Sequence, residues 1–101
     1  MNRLGEPKEH LDLIKKMFDL DNIQIEGIFS HLSRSDSNLE VDIEFTKQQI
    51  SNFDFILNKL KEDGYKPKNI HLQNSYGIVT YRDLHYNLVR PGIILYGVPS
   101  D

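Results

Sequence analysis

The sequence predicts an α/β fold built on parallel strands, and three observations lead there. Apolar residues recur at helical spacing in two stretches, and between and after them stand short runs rich in β-branched and aromatic residues. The resulting order is helix, strand, helix, strand, short helix, strand, an alternation that belongs to βαβ units. The chain is also short, because 101 residues make a poor free-standing version of a sheet that needs both faces covered. A closed (β/α)8 barrel takes about 250 residues. The expected architecture is therefore part of such a barrel, its strand edges left to pair with other segments or with a second copy.

Each element has its own signal. Gly5-Glu6-Pro7 opens the first helix, where a first-turn proline forfeits no hydrogen bond. Leu11, Ile14 and Phe18 form its apolar stripe, Leu13 and Met17 widen it, and Asp21-Asn22 should stop it near residue 20. Ile23 to Phe29 reads as the first strand. Residues 30–45, rich in Ser, Asp, Asn and Glu, read as a long functional loop. Thr46-x-x-Gln49 has the form of a capping box, followed by the stripe Ile50, Phe53, Ile56, Leu57 and Leu60, with Gly64 as the residue that ends the helix. Ile70 to Gln73 is the second strand, Ser75 to Tyr81 a short helix or turn, and Tyr86 to Val89 the third strand.

Composition excludes several classes. With 12 basic and 15 acidic residues the net charge is −3, and no basic stripe suggests nucleic acid. No apolar run approaches the roughly 18 residues that span a bilayer, and no signal peptide is visible, so no membrane partner and a cytoplasmic location are expected. Cysteine is absent, which removes disulfides, thiolate metal sites and a cysteine nucleophile.

The chemistry-bearing residues gather at the C-terminal ends of the expected strands, where barrel enzymes place catalysis. His31 follows the first strand, Asn74 and Ser75 the second, Arg90 and Gly92 the third. Ser75 offers a hydroxyl donor at the start of a short helix, and Gly92 lets the backbone approach a ligand, adding the N–H groups of Gly92 and Ile93. On spacing alone, Asn74-Ser75 reads better as an ordinary helix cap. Arg90 alone would be a strand-end arginine in a surface salt bridge, and His31 a half-buried histidine bonded to backbone. His10 and His85 read as surface residues, and His71, between Ile70 and Leu72, as facing the opposite side of its strand, the barrel interior being one candidate. No histidine or carboxylate group has metal-ligand spacing.

Four segments weigh against those bland readings: Met1-Asn2-Arg3-Leu4-Gly5, Ser30-His31-Leu32-Ser33-Arg34-Ser35-Asp36, Gln73-Asn74-Ser75-Tyr76-Gly77, and Val89-Arg90-Pro91-Gly92-Ile93-Ile94-Leu95-Tyr96-Gly97. In this order and at these separations they resemble the middle of an alanine racemase. The resemblance implies that residues 1–101 are a partial (β/α)8 TIM barrel, roughly the last three βα units of the domain that binds pyridoxal 5′-phosphate. It implies an isomerase that interconverts L- and D-alanine for peptidoglycan precursors and acts as a homodimer with a C-terminal β domain.

The resemblance also assigns roles. Asn74, Ser75, Gly92 and Ile93 would lie at the cofactor phosphate, and Arg3 at the phenolic oxygen and the substrate carboxylate. Arg90 would face the pyridine nitrogen, with His31 beside it. A guanidinium donates, accepts nothing and stays protonated, so the ring nitrogen facing it must be an unprotonated acceptor. Charge developing at the substrate Cα is then less delocalised, which favours prompt reprotonation over transamination or elimination.

The family's cofactor-bearing lysine and its catalytic tyrosine match nothing here; none of the eight lysines stands in the right context. The expectation is a fragment that is inactive alone. The alternatives are a fragment of a serine/alanine racemase, suggested by Ser75-Tyr76-Gly77-Ile78 and Tyr81, and a non-catalytic remnant that self-associates through its sheet edges.

Overall fold

The computed structural model describes residues 4–97. After a 3₁₀ turn at Lys8–His10 the chain forms α1 (Leu11–Phe18), β1 (Gly27–Phe29), α2 (Glu40–Glu62), β2 (Asn69–His71) and α3 (Ser75–Thr80), then a closing 3₁₀ turn at Ile93–Tyr96. β1 and β2 pair in parallel with Gly27 opposite Asn69, Ile28 opposite Ile70 and Phe29 opposite His71. The pairing is close enough that a Cβ on Gly27 would stand 2.5 Å from the Asn69 carbonyl oxygen.

Both strands are shorter than the sequence suggests. Pairing starts where Asn69 N–H meets the Glu26 carbonyl at 3.0 Å, and Ile23 instead turns its N–H back to Leu20. The third strand, expected over Tyr86–Val89, reduces to one parallel bridge between His71 and Leu88. A side chain supplies the rest of that edge. The Asn87 carboxamide accepts from Ile70 N–H at 2.6 Å and donates to the Lys68 carbonyl at 2.6 Å.

The largest difference lies in α2, which begins at Glu40 and not at a Thr46 cap. Glu40 and Asp42 sit in its first turn, where the helix dipole favours acids, so residues that look loop-like start a helix. The Leu39 carbonyl receives the N–H groups of Asp42 and Ile43, while Ser37 Oγ accepts from Leu39 N–H and donates to the Asp42 carboxylate. Thr46 is fully buried mid-helix, its hydroxyl bonded back to the Asp42 carbonyl. The other end follows the sequence: Gly64 has φ +84°, Tyr65 N–H reaches the Leu60 carbonyl and Gly64 N–H the Lys61 carbonyl, a Schellman closure.

The core lies between α2 and one face of the sheet. Leu32, Phe53 and Leu72 are buried together, with Ile28, Ile50, Leu57, Ile70, Leu84 and Tyr86 packed around them. Tyr86 meets Phe53 edge-on and donates its hydroxyl to Asp54 at 2.6 Å. Burial and that carboxylate push the Tyr86 phenol far above its ordinary range. α1 is fastened to the far end of α2 by Tyr65, whose ring packs tilted at 43° against Phe18 and whose hydroxyl donates to Asp19, and by a Lys15–Asp63 ion pair. Side chains alternate along a strand; with Ile28 and Ile70 turned to the core, Phe29 and His71 take the opposite face.

Candidate functional site at the strand ends

The site is organised around Arg90. Its backbone N–H bonds to the Gln73 carbonyl at 2.9 Å, which fixes the chain just beyond the Leu88 bridge. Its Nη1 stands 2.5 Å from His71 Nδ1. Its Nη2 donates to the Ser30 carbonyl at 2.9 Å and the Leu72 carbonyl at 3.2 Å, and lies 3.5 Å from His31 Nδ1. The guanidinium also sits 5.4 Å from the centre of the Phe29 ring, which in turn stacks flat on His71 at 5.1 Å and 4°. One cation thus ties together the ends of β1 and β2.

Electrostatics fix the protonation of this cluster. A guanidinium in a protein keeps its charge and only donates, so His71 Nδ1 must be the acceptor and the proton of the neutral ring sits on Nε2. Burial, and then the Arg90 charge, hold His71 below its ordinary value of 6.5. Burial also presses Arg90 below its ordinary range. Both Arg90 terminal nitrogens are engaged, and no hydrogen bond to its Nε–H is made among the described residues.

A second cluster lies beside the first. Ser75, 7% exposed, accepts the N–H of Gly92 at 2.9 Å and of Ile94 at 3.2 Å on its Oγ. Two donors fill the acceptor positions of a hydroxyl, so Ser75 is left able to give its own proton outward. Gly92 leaves the approach open; a Cβ there would lie 3.7 Å from Ser75 Oγ. Ile93 begins the closing 3₁₀ turn, and its N–H, expected as a ligand donor together with that of Gly92, stands next to one already given to Ser75.

Asn74 does the work of a cap. Its Oδ1 accepts from Gly77 N–H and from Ser35 Oγ, and its Nδ2 donates to the Leu32 carbonyl, all at 2.9 Å. It therefore ties the loop after β1 to α3. Gln73, 4% exposed, closes the other end of that helix by donating to the Gly77 and Tyr81 carbonyls. Arg3 lies outside the described residues. Among the described residues no group of histidine and carboxylate side chains is placed to hold a metal, and no helix is long and apolar enough to cross a membrane.

Residues 1–100 match the family described as "Alanine racemase, N-terminal domain". The chain belongs to that family. It is 41% identical over 97 residues to an alanine racemase of Carboxydothermus hydrogenoformans, covering 96% of this chain and 26% of the relative. It is 43% identical over 101 residues to a serine/alanine racemase of Enterococcus gallinarum, covering all of this chain and 14% of the relative. Among solved structures it resembles the alanine racemase of Clostridium difficile 630 in complex with cycloserine, with TM-score 0.81 and 36% identity over 92% of this chain and 24% of that one. It also resembles the Bartonella henselae enzyme with covalently bound pyridoxal phosphate, with TM-score 0.69 and 32% identity over 97% of this chain and 25% of that one. The chain thus spans about a quarter of the length of the alanine racemases it matches.

For this member of the alanine racemase family, the structure brings His31 to Arg90 and Ser75 to Gly92, as the motifs suggest. It adds His71, which the sequence set on the opposite side of its strand without a role, and Phe29, which the sequence read only as the end of a strand. The parallel register is the signal that finds them, because it sets Phe29 beside His71 on the face away from the core.

Proposed function

We propose that these residues form one wall of the pyridoxal phosphate site of a cytoplasmic racemase that interconverts L- and D-alanine for cell-wall precursor supply. In this reading residues 1–101 are roughly the last three βα units of its (β/α)8 barrel. A C-terminal β domain and a second subunit complete the enzyme. When bound, pyridoxal phosphate supplies the electron sink that lets a proton leave and return to the substrate Cα.

The observation that carries the proposal is a set of donors left unspent at the site. Arg90 keeps its Nε–H and Ser75 its hydroxyl proton, while Gly92 N–H is given to Ser75 and Ile93 N–H lies between the two N–H groups that Ser75 accepts. Such a set complements a phosphate and an unprotonated pyridine nitrogen. Arg90, clamped at both terminal nitrogens, holds Nε–H in a fixed direction, and its permanent charge keeps a proton off the group it faces. Arg3 completes the set at the substrate carboxylate, where a guanidinium fork is the natural partner. Neither the cofactor-bearing lysine nor the family's tyrosine is among these residues. The wall therefore holds and tunes, and the 101 residues alone do not racemise alanine.

The test uses the complete protein that contains this chain. It should bind pyridoxal phosphate and convert L-alanine to D-alanine, and Ser75→Ala should weaken cofactor binding measured by absorbance titration. Failure to bind the cofactor would remove the proposal. The similarity to the Enterococcus gallinarum enzyme favours serine as the second substrate to assay, and kcat/KM for L-serine against L-alanine decides between the two.

A further inference from the structure

Gln49 occupies a position where an apolar residue would be expected. Thr46, Phe53, Ile56 and Leu60 are the buried residues of α2, and Gln49 falls on the same stripe at the i+3 step after Thr46. A carboxamide there must satisfy both poles. It does so on the loop after β1: Oε1 accepts Ser33 N–H at 3.3 Å, and Nε2 donates to the His31 carbonyl at 3.2 Å.

The pair it engages is informative. In an extended chain the carbonyl of one residue and the N–H of the second residue after it point to the same side. Gln49 thus pairs with residues 31–33 as a neighbouring strand would, just as Asn87 pairs with Lys68 and Ile70 on the other edge of the sheet. The carbonyls in between point the other way: Ser30 to Arg90 Nη2 and Leu32 to Asn74 Nδ2. β1 stops at Phe29, but this alternation of partners runs on through Ser30, His31 and Leu32, up to the turn that begins at Ser33.

We propose that Gln49 is a positioning residue for Arg90 and His31, its carboxamide standing in for the strand that would otherwise align the loop carrying His31 and the Ser30 carbonyl. The proposal rests on the cofactor reading above. Without the bracket, residues 30–33 can rotate, the Ser30 carbonyl leaves Nη2, and His31 moves off the guanidinium. Gln49 touches neither cofactor nor substrate, so it acts only through those two residues.

The experiment uses the complete protein loaded with pyridoxal phosphate and the variants Gln49→Met and Gln49→Glu. The first matches the volume and removes both bonds; the second keeps an acceptor for Ser33 N–H and loses the donor. Expected for Gln49→Met are faster amide exchange at residues 30–33, an altered absorbance of the bound cofactor, and a fall in kcat with little change in KM. The fall should approach the roughly hundredfold that a misplacement of about 1 Å can cause. Gln49→Glu should show less exchange and the same spectral change. In an Arg90→Lys background, Gln49→Met should add no further loss. Faster exchange with an unchanged spectrum and kcat, or losses that add in the double variant, would leave Gln49 as a structural tie only and overturn the inference. A wild-type protein that shows no cofactor absorbance would overturn the cofactor reading as well, which separates the two failures.

Discussion

Arg90 is held in a way that lysine cannot copy. His71 Nδ1, the Ser30 carbonyl and the Leu72 carbonyl surround two planar nitrogens of one fork, and an ammonium is a point charge on a flexible stem. Arg90→Lys in the complete protein should therefore lower kcat far more than KM. Arg90→Glu should have a distinct effect, since a carboxyl can share a proton with a ring nitrogen that a guanidinium keeps bare. A larger fraction of turnovers should then end as released pyruvate, measured by a coupled lactate dehydrogenase assay; an unchanged fraction would argue against the electronic role. His71 gives a pH test. Its folded pKa is lowered, so below about 6.5 the unfolded chain binds a proton that the fold resists, and stability declines as pH falls. Melting temperature should drop between pH 7.5 and 5.5, and by less in His71→Gln. The sequence showed the face His71 takes, opposite Ile70 and Leu72, but not its bond to Arg90, because that partner lies 19 residues further along the chain.

At the scale of the elements, what the sequence reveals depends on whether the signal is local. The end of α2 is legible because Gly64 must adopt φ +84°, and Gly64→Ala should cost about 1–2 kcal/mol, visible as a lower urea midpoint. Its start is not legible, because Thr46-x-x-Gln49 satisfies two patterns at once, a capping box and successive steps of a buried stripe. Only the sheet beneath decides between them, and it selects the stripe. The strands are overextended in a sequence reading for a similar reason. Ile23 and Ile25 have β propensity but face no partner strand, whereas Asn87, a poor strand residue, replaces a strand with its side chain. Gly27 carries a prediction that its neighbours do not suggest. Gly27→Ala should cost about 1–3 kcal/mol, since the Asn69 carbonyl must move; a thermal shift smaller than that of Gly64→Ala would contradict the close approach.

At the scale of the molecule, the core covers one face of the two-stranded sheet and leaves much apolar surface outside. Phe29, Leu95 and Tyr96 are 65%, 73% and 87% exposed, which suits a segment meant to be covered by the rest of a barrel. The 101 residues expressed alone should therefore elute from a sizing column above the 11.8 kDa of a monomer; a sharp monomer peak would show that the exposed face tolerates water. The α/β class and the parallel strands were readable from the alternation of patterns, and so was the gathering of His31, Ser75 and Arg90 beyond the strand ends. The fastening of α1 by Tyr65 and Lys15 was not, because both partners are ordinary surface residues until the chain brings them together.

The reach of Arg90 has a kinetic consequence. Its Nη2 meets the carbonyl of a residue 60 positions earlier in the chain, and β1 finds β2 only across the whole of α2. Closing loops of that length precedes any reward from the contact, so the clamp belongs to the last stage of assembly and is open in the folding transition state. Arg90→Lys should thus accelerate unfolding in a stopped-flow experiment and leave the refolding rate unchanged. In the proposed reading, a cofactor then meets an aligned Arg90 only after β1 and β2 have paired.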